Sequence, residues 1–285
     1  MTGNDHHAEN GVDAYAPSEI AERVRDVGVR KVALDLPSML LLSVLAGAFI
    51  GLGACLSTLS VAGLDAPYGI RRVVAGMSFS LGLILVVLAG AELFTGNNLA
   101  IMAWASRLVT TRALLRSWLV VYVGNFLGAA LTALLIYMSA PWITHQFQTD
   151  VVAVNTALVK CQLGPLQGFF LGVLANALVC LAVWLCFGAR SMADKILAIL
   201  FPITAFVALG FEHSIANMYF LSMGLLLKTQ PEVIAAGGWS AETLSALSAT
   251  GVLRNLVPVT LGNVVGGAGL VGGMYWTVYL RRGAR

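Results

Sequence analysis

The sequence predicts an all-α membrane protein: six transmembrane helices laid out as two inverted three-helix repeats, with the second and fifth helices broken. Three observations carry that expectation. Of 285 residues, 58% are hydrophobic and only 11% charged, where soluble domains carry about 25% charged residues. At about 20 apolar residues per crossing, six apolar segments fit, and two of them contain polar interruptions. Arg116, Gly124, Asn125 and Gly128 recur as Arg254, Gly262, Asn263 and Gly266, each pair 138 residues apart, which points to an internal duplication.

The first 30 residues are polar and mixed in charge, without the apolar core of a cleavable signal. Residues 1–32 are therefore expected to form a cytoplasmic tail with a helix over Pro17–Lys31, residues 33–282 one six-helix domain, and residues 283–285 a short tail. The first span, Leu34–Ala62, carries Ala46, Gly47, Gly51 and Gly53, small residues that let helices approach closely. A turn over Gly63–Gly69 follows. The second segment, Val73–Ala105, is too long for one simple crossing and is interrupted over Ala89–Asn98. Leu114–Ala140 and Pro165–Phe187 are uninterrupted, Ile196–Leu227 is again long and interrupted, and Leu253–Leu280 completes the set. Repeats of about 33–140 and 161–282 then hold three spans each, and an odd number inverts the second relative to the first. With both termini inside, twelve of the 17 Lys and Arg residues fall on the cytoplasmic side, as the positive-inside bias requires.

Glu212 and His213 are the costliest residues in the chain. They interrupt an apolar run from Ile196 to Leu227, and a charge at such depth costs roughly 2.5–3.5 kcal/mol, so the default reading is a functional site facing a cavity. In inverted-repeat transporters the site lies where corresponding broken helices meet near the midplane. The two interruptions should therefore face each other. Glu92 and Glu212, with Asn217, are read as polar supports of the broken ends, since a fixed negative charge in the path would repel an anion. Phe79 and Leu83 lie four apart and share a helix face leading toward Glu92. Cys55, Cys161, Cys180 and Cys186 have no metal or disulfide spacing and read as small hydrophobes. No metal or other cofactor is expected, and the scattered basic residues give no nucleic-acid surface.

Read in order, Ala89-Gly-Ala-Glu-Leu-Phe-Thr-Gly-Asn97, Asn176-Ala-Leu-Val-Cys-Leu-Ala-Val-Trp184 and Gly210-Phe-Glu-His-Ser-Ile-Ala-Asn-Met218 resemble the formate/nitrite transporter family over roughly residues 30–282. The resemblance implies an aquaporin-like six-helix protomer in the bacterial inner membrane, assembled as a homopentamer, each protomer with its own pore for small monovalent anions. It implies that Leu93, Phe94 and Thr95 form the loop in the broken second helix and that Phe79, Leu83 and Phe206 are slit residues. His213 is then the central histidine, Asn176 contacts the central site, and Lys160 is the basic residue near the outer funnel, raising the local anion concentration. Ser191–Lys195, Phe201–Val207 and Leu256–Asn263 look most like the formate channels, with the nitrite and hydrosulfide branches as alternatives.

Other classes fit less well. An intramembrane serine protease would want a GxSG elbow, an ammonia channel two pore histidines, and an aquaporin paired Asn-Pro-Ala loops. The spans contain none of these, and His6, His7 and His145 lie outside them. A histidine between apolar slits instead suggests proton-linked passage. Moving a proton from imidazolium, at about 6.5, to a carboxylate of about 3.9 is uphill by roughly 3.5 kcal/mol in water. Loss of water favours the neutral pair of acid and imidazole and closes that gap.

Overall fold

The computed structural model describes residues 13–139 and 147–281. The tail at 283–285, and His6, His7 and His145, lie outside the described residues. Every described element is helical. Helix α1 (Pro17–Val32) opens with proline at its first position and is capped by Glu19, whose carboxylate accepts from Ala16 N at 2.9 Å. Asp35 caps α2 (Leu36–Val61) by accepting from Ser38 N.

Helix α3 (Tyr68–Ala89) ends at Gly90, whose φ of 81° is left-handed and closes the helix without a Cβ clash. The chain resumes as the short α4 (Phe94–Asn97), a 3-10 turn and α5 (Ile101–Ala105). Helix α6 (Thr111–Ser139) follows, then α7 (Gln148–Gln162) and α8 (Pro165–Gly188). Helix α9 (Met192–Ala208) breaks at Gly210, with φ of 76°, and α10 (Ser214–Leu227) continues beyond the break. Two short helices, α11 (Pro231–Gly237) and α12 (Ala241–Ser245), lead into α13 (Ala249–Val264), a π-helical stretch over Val265–Gly273 and α14 (Met274–Tyr279).

Among the described residues, five helices are long and apolar enough to cross a membrane, and the chain is broken at Gly90 and Gly210 within the second and fifth expected segments. Three features were not read from the sequence: α7, the short pair α11–α12, and the π-helix in the last span. The π-helix lies in Val-Gly-Gly-Ala-Gly-Leu-Val-Gly-Gly, where the glycines permit close approach. A Cβ on Gly267 would lie 2.3 Å from Asn176 Nδ2.

Packing repeats in the two halves. Helix α2 lies against α3 and α6, and α8 lies against α9 and α13. At both seams backbones touch: a Cβ on Gly128 would meet Val44 O at 1.9 Å, and one on Gly262 would meet Phe169 O at 2.1 Å. Large apolar side chains such as Leu41, Leu119, Leu135 and Phe201 point outward. Polar side chains including Asn125, Asn176, Asn217 and Asn263 are buried inside. This arrangement suits a hydrocarbon solvent, in which helices associate through small residues and internal hydrogen bonds.

Gly128→Ala should destabilise the protein in detergent by about 1–3 kcal/mol, at the upper end because backbone cannot step aside. Gly69→Ala, where nothing lies within 4 Å, should leave the melting temperature unchanged. Thermal unfolding of the two variants side by side checks this.

Candidate functional site

Each break exposes backbone groups that α-helix bonding no longer satisfies, and each is bracketed by one buried asparagine amide. Asn125 accepts from Phe94 N at 2.9 Å and donates to Ser43 O and Glu92 O at 2.8 and 2.9 Å. Asn263 accepts from Ser214 N at 2.9 Å and donates to Gly172 O and Glu212 O at 2.8 and 2.9 Å. A primary amide has two donors and an acceptor at fixed angles, so one side chain holds three strands of backbone together. These are the asparagines that recur 138 residues apart.

Beside each bracket sits the same trio. Lys31 Nζ donates to Glu92 Oε1 at 2.9 Å, and Asn97 Nδ2 donates to Glu92 Oε2 at 2.6 Å. Lys160 Nζ donates to Glu212 Oε1 at 2.9 Å, and Asn217 Nδ2 donates to Glu212 Oε2 at 2.6 Å. Sequence reasoning missed Lys31, which was counted only among the tail charges. A signal was there: Lys31 and Lys160 each precede the first residue of a span, Leu36 and Pro165, by five positions. Lys160 also differs from the exposed cation expected of it. Its side chain is 12% exposed and its charge is matched by Glu212.

At the centre the two halves contribute different groups. His213 occupies the N-cap of α10, and its Nδ1 accepts from Ala216 N at 3.2 Å. A backbone N–H can only donate, so the ring proton sits on Nε2, which lies 2.8 Å from Thr95 Oγ1. Thr95 accepts that proton, and its own hydroxyl hydrogen remains to be donated. The first-half equivalent of His213 is Leu93, N-cap of α4. Both His213 and Thr95 are buried.

Two cavities approach this centre from opposite ends of α3. One, of about 500 Å³, is lined by Arg72, Phe79, Lys160, Phe206, Glu212 and His213. The other, of about 260 Å³, is lined by Lys31, Leu83, Glu92, Leu93, Asn97 and Lys195, among others. At 1.5 Å per residue, Arg72 in the first cavity and Gly90 in the second are about 27 Å apart, close to the thickness of a bilayer core. On the wall of the larger cavity the rings of Phe79 and Phe206 meet edge to face, with centroids 5.5 Å apart. Phe206 also lies 5.8 Å from the His213 ring.

Phe94 and Asn176 are held by contacts with the scaffold around the centre. Phe94 lines neither described cavity; its ring packs edge-on against Trp118 and Tyr122. Its site contribution is the backbone N–H held by Asn125. Asn176 donates to Asn98 Oδ1 at 2.7 Å and to Asn263 O at 2.6 Å, so its described bonds reach the bracket and not His213. Asn255 had no place in the sequence reading, which named Asn98 only as part of the first polar interruption. Asn255 accepts from Asn217 and donates to Glu212 and to Lys160 O.

A sequence model of the formate/nitrite transporter family matches residues 18–277. The formate channel FocA of Escherichia coli K12 is 39% identical over 278 residues, covering 96% of this chain and 98% of that protein. This chain belongs to the formate/nitrite transporter family. The formate channel BtFdhC of Bacillus thuringiensis is 36% identical, covering 94% of this chain and 97% of its own. A solved pentameric formate channel with formate bound superposes with a TM-score of 0.80 at 38% identity, covering 86% of this chain and 98% of its own. Membership of the formate/nitrite transporter family makes this a membrane protein among channels and transporters, and not an enzyme.

In this formate/nitrite transporter the two lysine–glutamate pairs differ in burial. The Lys160 side chain is 12% exposed and the Lys31 side chain 29%. Removing one partner of a buried pair leaves an uncompensated charge and costs about 3–5 kcal/mol. Lys160→Met should therefore approach that range and Lys31→Met fall below it. Adding Glu212→Gln to Lys160→Met should recover much of the loss, as read by thermal unfolding in detergent.

Proposed function

We propose that this chain is a formate channel working as a homopentamer, with one pore per protomer and His213 mediating proton-linked passage between two apolar constrictions. The observation that carries the reading is the Thr95–His213 hydrogen bond, buried between two cavities whose inner walls are Phe79 and Phe206 on one side and Leu83 and Leu93 on the other. The relatives that are formate channels, and the pentameric solved structure, support the substrate and the assembly. In this reading the α7 end is the outer face and the α1 end, with both termini, the cytoplasmic face of the bacterial inner membrane. The two repeats lie inverted, and residues 33–282 form the channel domain.

An anion leaving either cavity for the centre loses water against apolar walls, which favours the neutral acid over the carboxylate. Thr95 offers the arriving carboxylate a hydroxyl donor oriented by His213. Protonation of His213 must occur at Nδ1, because Nε2 already carries hydrogen, and it costs the Ala216 bond. The ring is thus held neutral between transfers, and any charged imidazolium is short-lived. When His213 is charged, the proton on Nδ1 passes to a carboxylate in the larger cavity, whose wall carries both His213 and Ala216; the neutral acid leaves, Nδ1 recovers its bond to Ala216, and the next acid or water restores the proton to Nδ1. Lys160 and Lys31 hold Glu212 and Glu92 in place and cancel their charge, so that neither glutamate repels the anion.

His213→Asn, which keeps hydrogen bonding but cannot titrate, should lower formate flux in proteoliposomes about a hundredfold, the lower end of proton-transfer effects, and flatten its pH profile. A variant with the wild-type rate and profile would leave His213 as a helix cap only. Phe206→Ala or Phe79→Ala should open the constriction and raise permeability to larger, more hydrated solutes. Unchanged permeability would make the two rings packing residues.

A further inference from the structure

We infer that the charges which draw anions into the two cavities are Arg72 and Lys195, and not the two lysines beside the glutamates. The inference rests on the channel reading above and names the residues that serve it. Among the described residues, the charged side chains lining the larger cavity are Arg72, Lys160 and Glu212, with His213 at its floor. Those lining the smaller cavity are Lys31, Glu92 and Lys195. Lys160 is ion-paired with Glu212 at 2.9 Å and Lys31 with Glu92 at 2.9 Å. A pair at that distance is a dipole whose field dies quickly in water. Each cavity keeps one uncompensated positive charge.

Arg72 is half-buried on α3 and donates from Nε to Ala208 O at 3.0 Å and from Nη2 to Val207 O at 2.5 Å. Both acceptors are neutral carbonyls at the broken end of α9. The helix dipole there offsets at most about half a charge, so a positive excess remains, and Nη1 has no described partner. Lys195 sits in the first turns of α9, where the helix dipole adds to its charge. Its sequence neighbour Asp194 is turned away, accepting from Ser191 N and Arg190 N, and Asp194 is absent from the described cavity wall.

Duplication does not explain the two cations. Under the 120-residue offset that relates Glu92 to Glu212 and Gly90 to Gly210, the counterpart of Lys195 is Ala75 and that of Arg72 is Met192. Ala75 lies on the wall of the larger cavity, one helical turn from Arg72. Each mouth therefore has its own cation at nearly the same level, placed independently of the repeat. The two ion pairs hold the breaks, and the two single charges serve the mouths.

The test is formate flux of purified protein in liposomes, in an impermeant salt at about 10 mM and about 1 M, where the screening length falls from about 30 Å to about 3 Å. Wild-type flux should fall with salt. The double variant Arg72→Gln with Lys195→Gln, which makes vesicle orientation immaterial, should lose about 3- to 10-fold at low salt and match wild type at high salt. Arg72→Lys, which keeps charge but not the forked hydrogen bonds, should retain the salt slope. So should Lys160→Met with Glu212→Gln, whatever its absolute rate. The inference is overturned by a wild-type flux indifferent to salt, by an equal loss at both salt levels in the Gln double variant, or by a slope lost only when the Lys160–Glu212 pair is removed. A wild type that passes no formate at all overturns the channel reading instead.

Discussion

A helix cannot be broken inside hydrocarbon unless the backbone groups it releases find partners within the protein. Everything else in this structure depends on how that constraint is met. Asn125 and Asn263 each take one released N–H and two carbonyls, and each reaches its break from a helix sealed against its neighbour by glycines. The close approach at Gly128 and Gly262 is what brings the amides within reach. A bulkier residue there would push the bracket away from the break before it touched anything in the pore.

The fold was legible because the two halves repeat their costliest features. Asparagine between two glycines, twice, with a matching arginine, is hard to account for by composition alone. Polar interruptions in the second and fifth segments say where the breaks lie. Side-chain partners were less legible, for a physical reason: hydropathy and spacing report where a charge sits, not what neutralises it. Lys31 reads as one of many tail cations until its ammonium is seen on Glu92. Lys160 reads as a free charge until Glu212 is seen to meet it. Asn176 and Phe94 lie in motif segments of high specificity, yet one supports Asn263 and the other packs on α6. A motif preserves the whole local construction, so membership in it does not separate the residues that touch the path from those that hold it.

The repeat is symmetric in its scaffold and asymmetric in its chemistry. Glu92 and Glu212, Asn97 and Asn217, and Gly90 and Gly210 do the same work in the two halves. At the N-caps the halves diverge, with Leu93 on one side and His213 on the other, and Thr95 has Ile215 as its counterpart. Two equivalent histidines would place two titratable rings at one centre, and charging either would disfavour the other. A single ring facing a single hydroxyl avoids that competition and leaves the Thr95 hydroxyl hydrogen free to donate.

The same arrangement makes so polar a set of residues compatible with an uncharged centre. Each glutamate has an ammonium on one oxygen and an asparagine amide on the other, so its charge is matched beside it. Cancelling these charges at the edge of each cavity leaves the central segment, from Phe79 and Phe206 to Leu83 and Leu93, without a net charge of its own. The polar groups thus hold the broken ends in place, and in the proposed channel the four apolar side chains set the width of the path. In that proposal, what crosses is decided by size and by ease of losing water, with the Thr95–His213 pair as the polar contact at the centre.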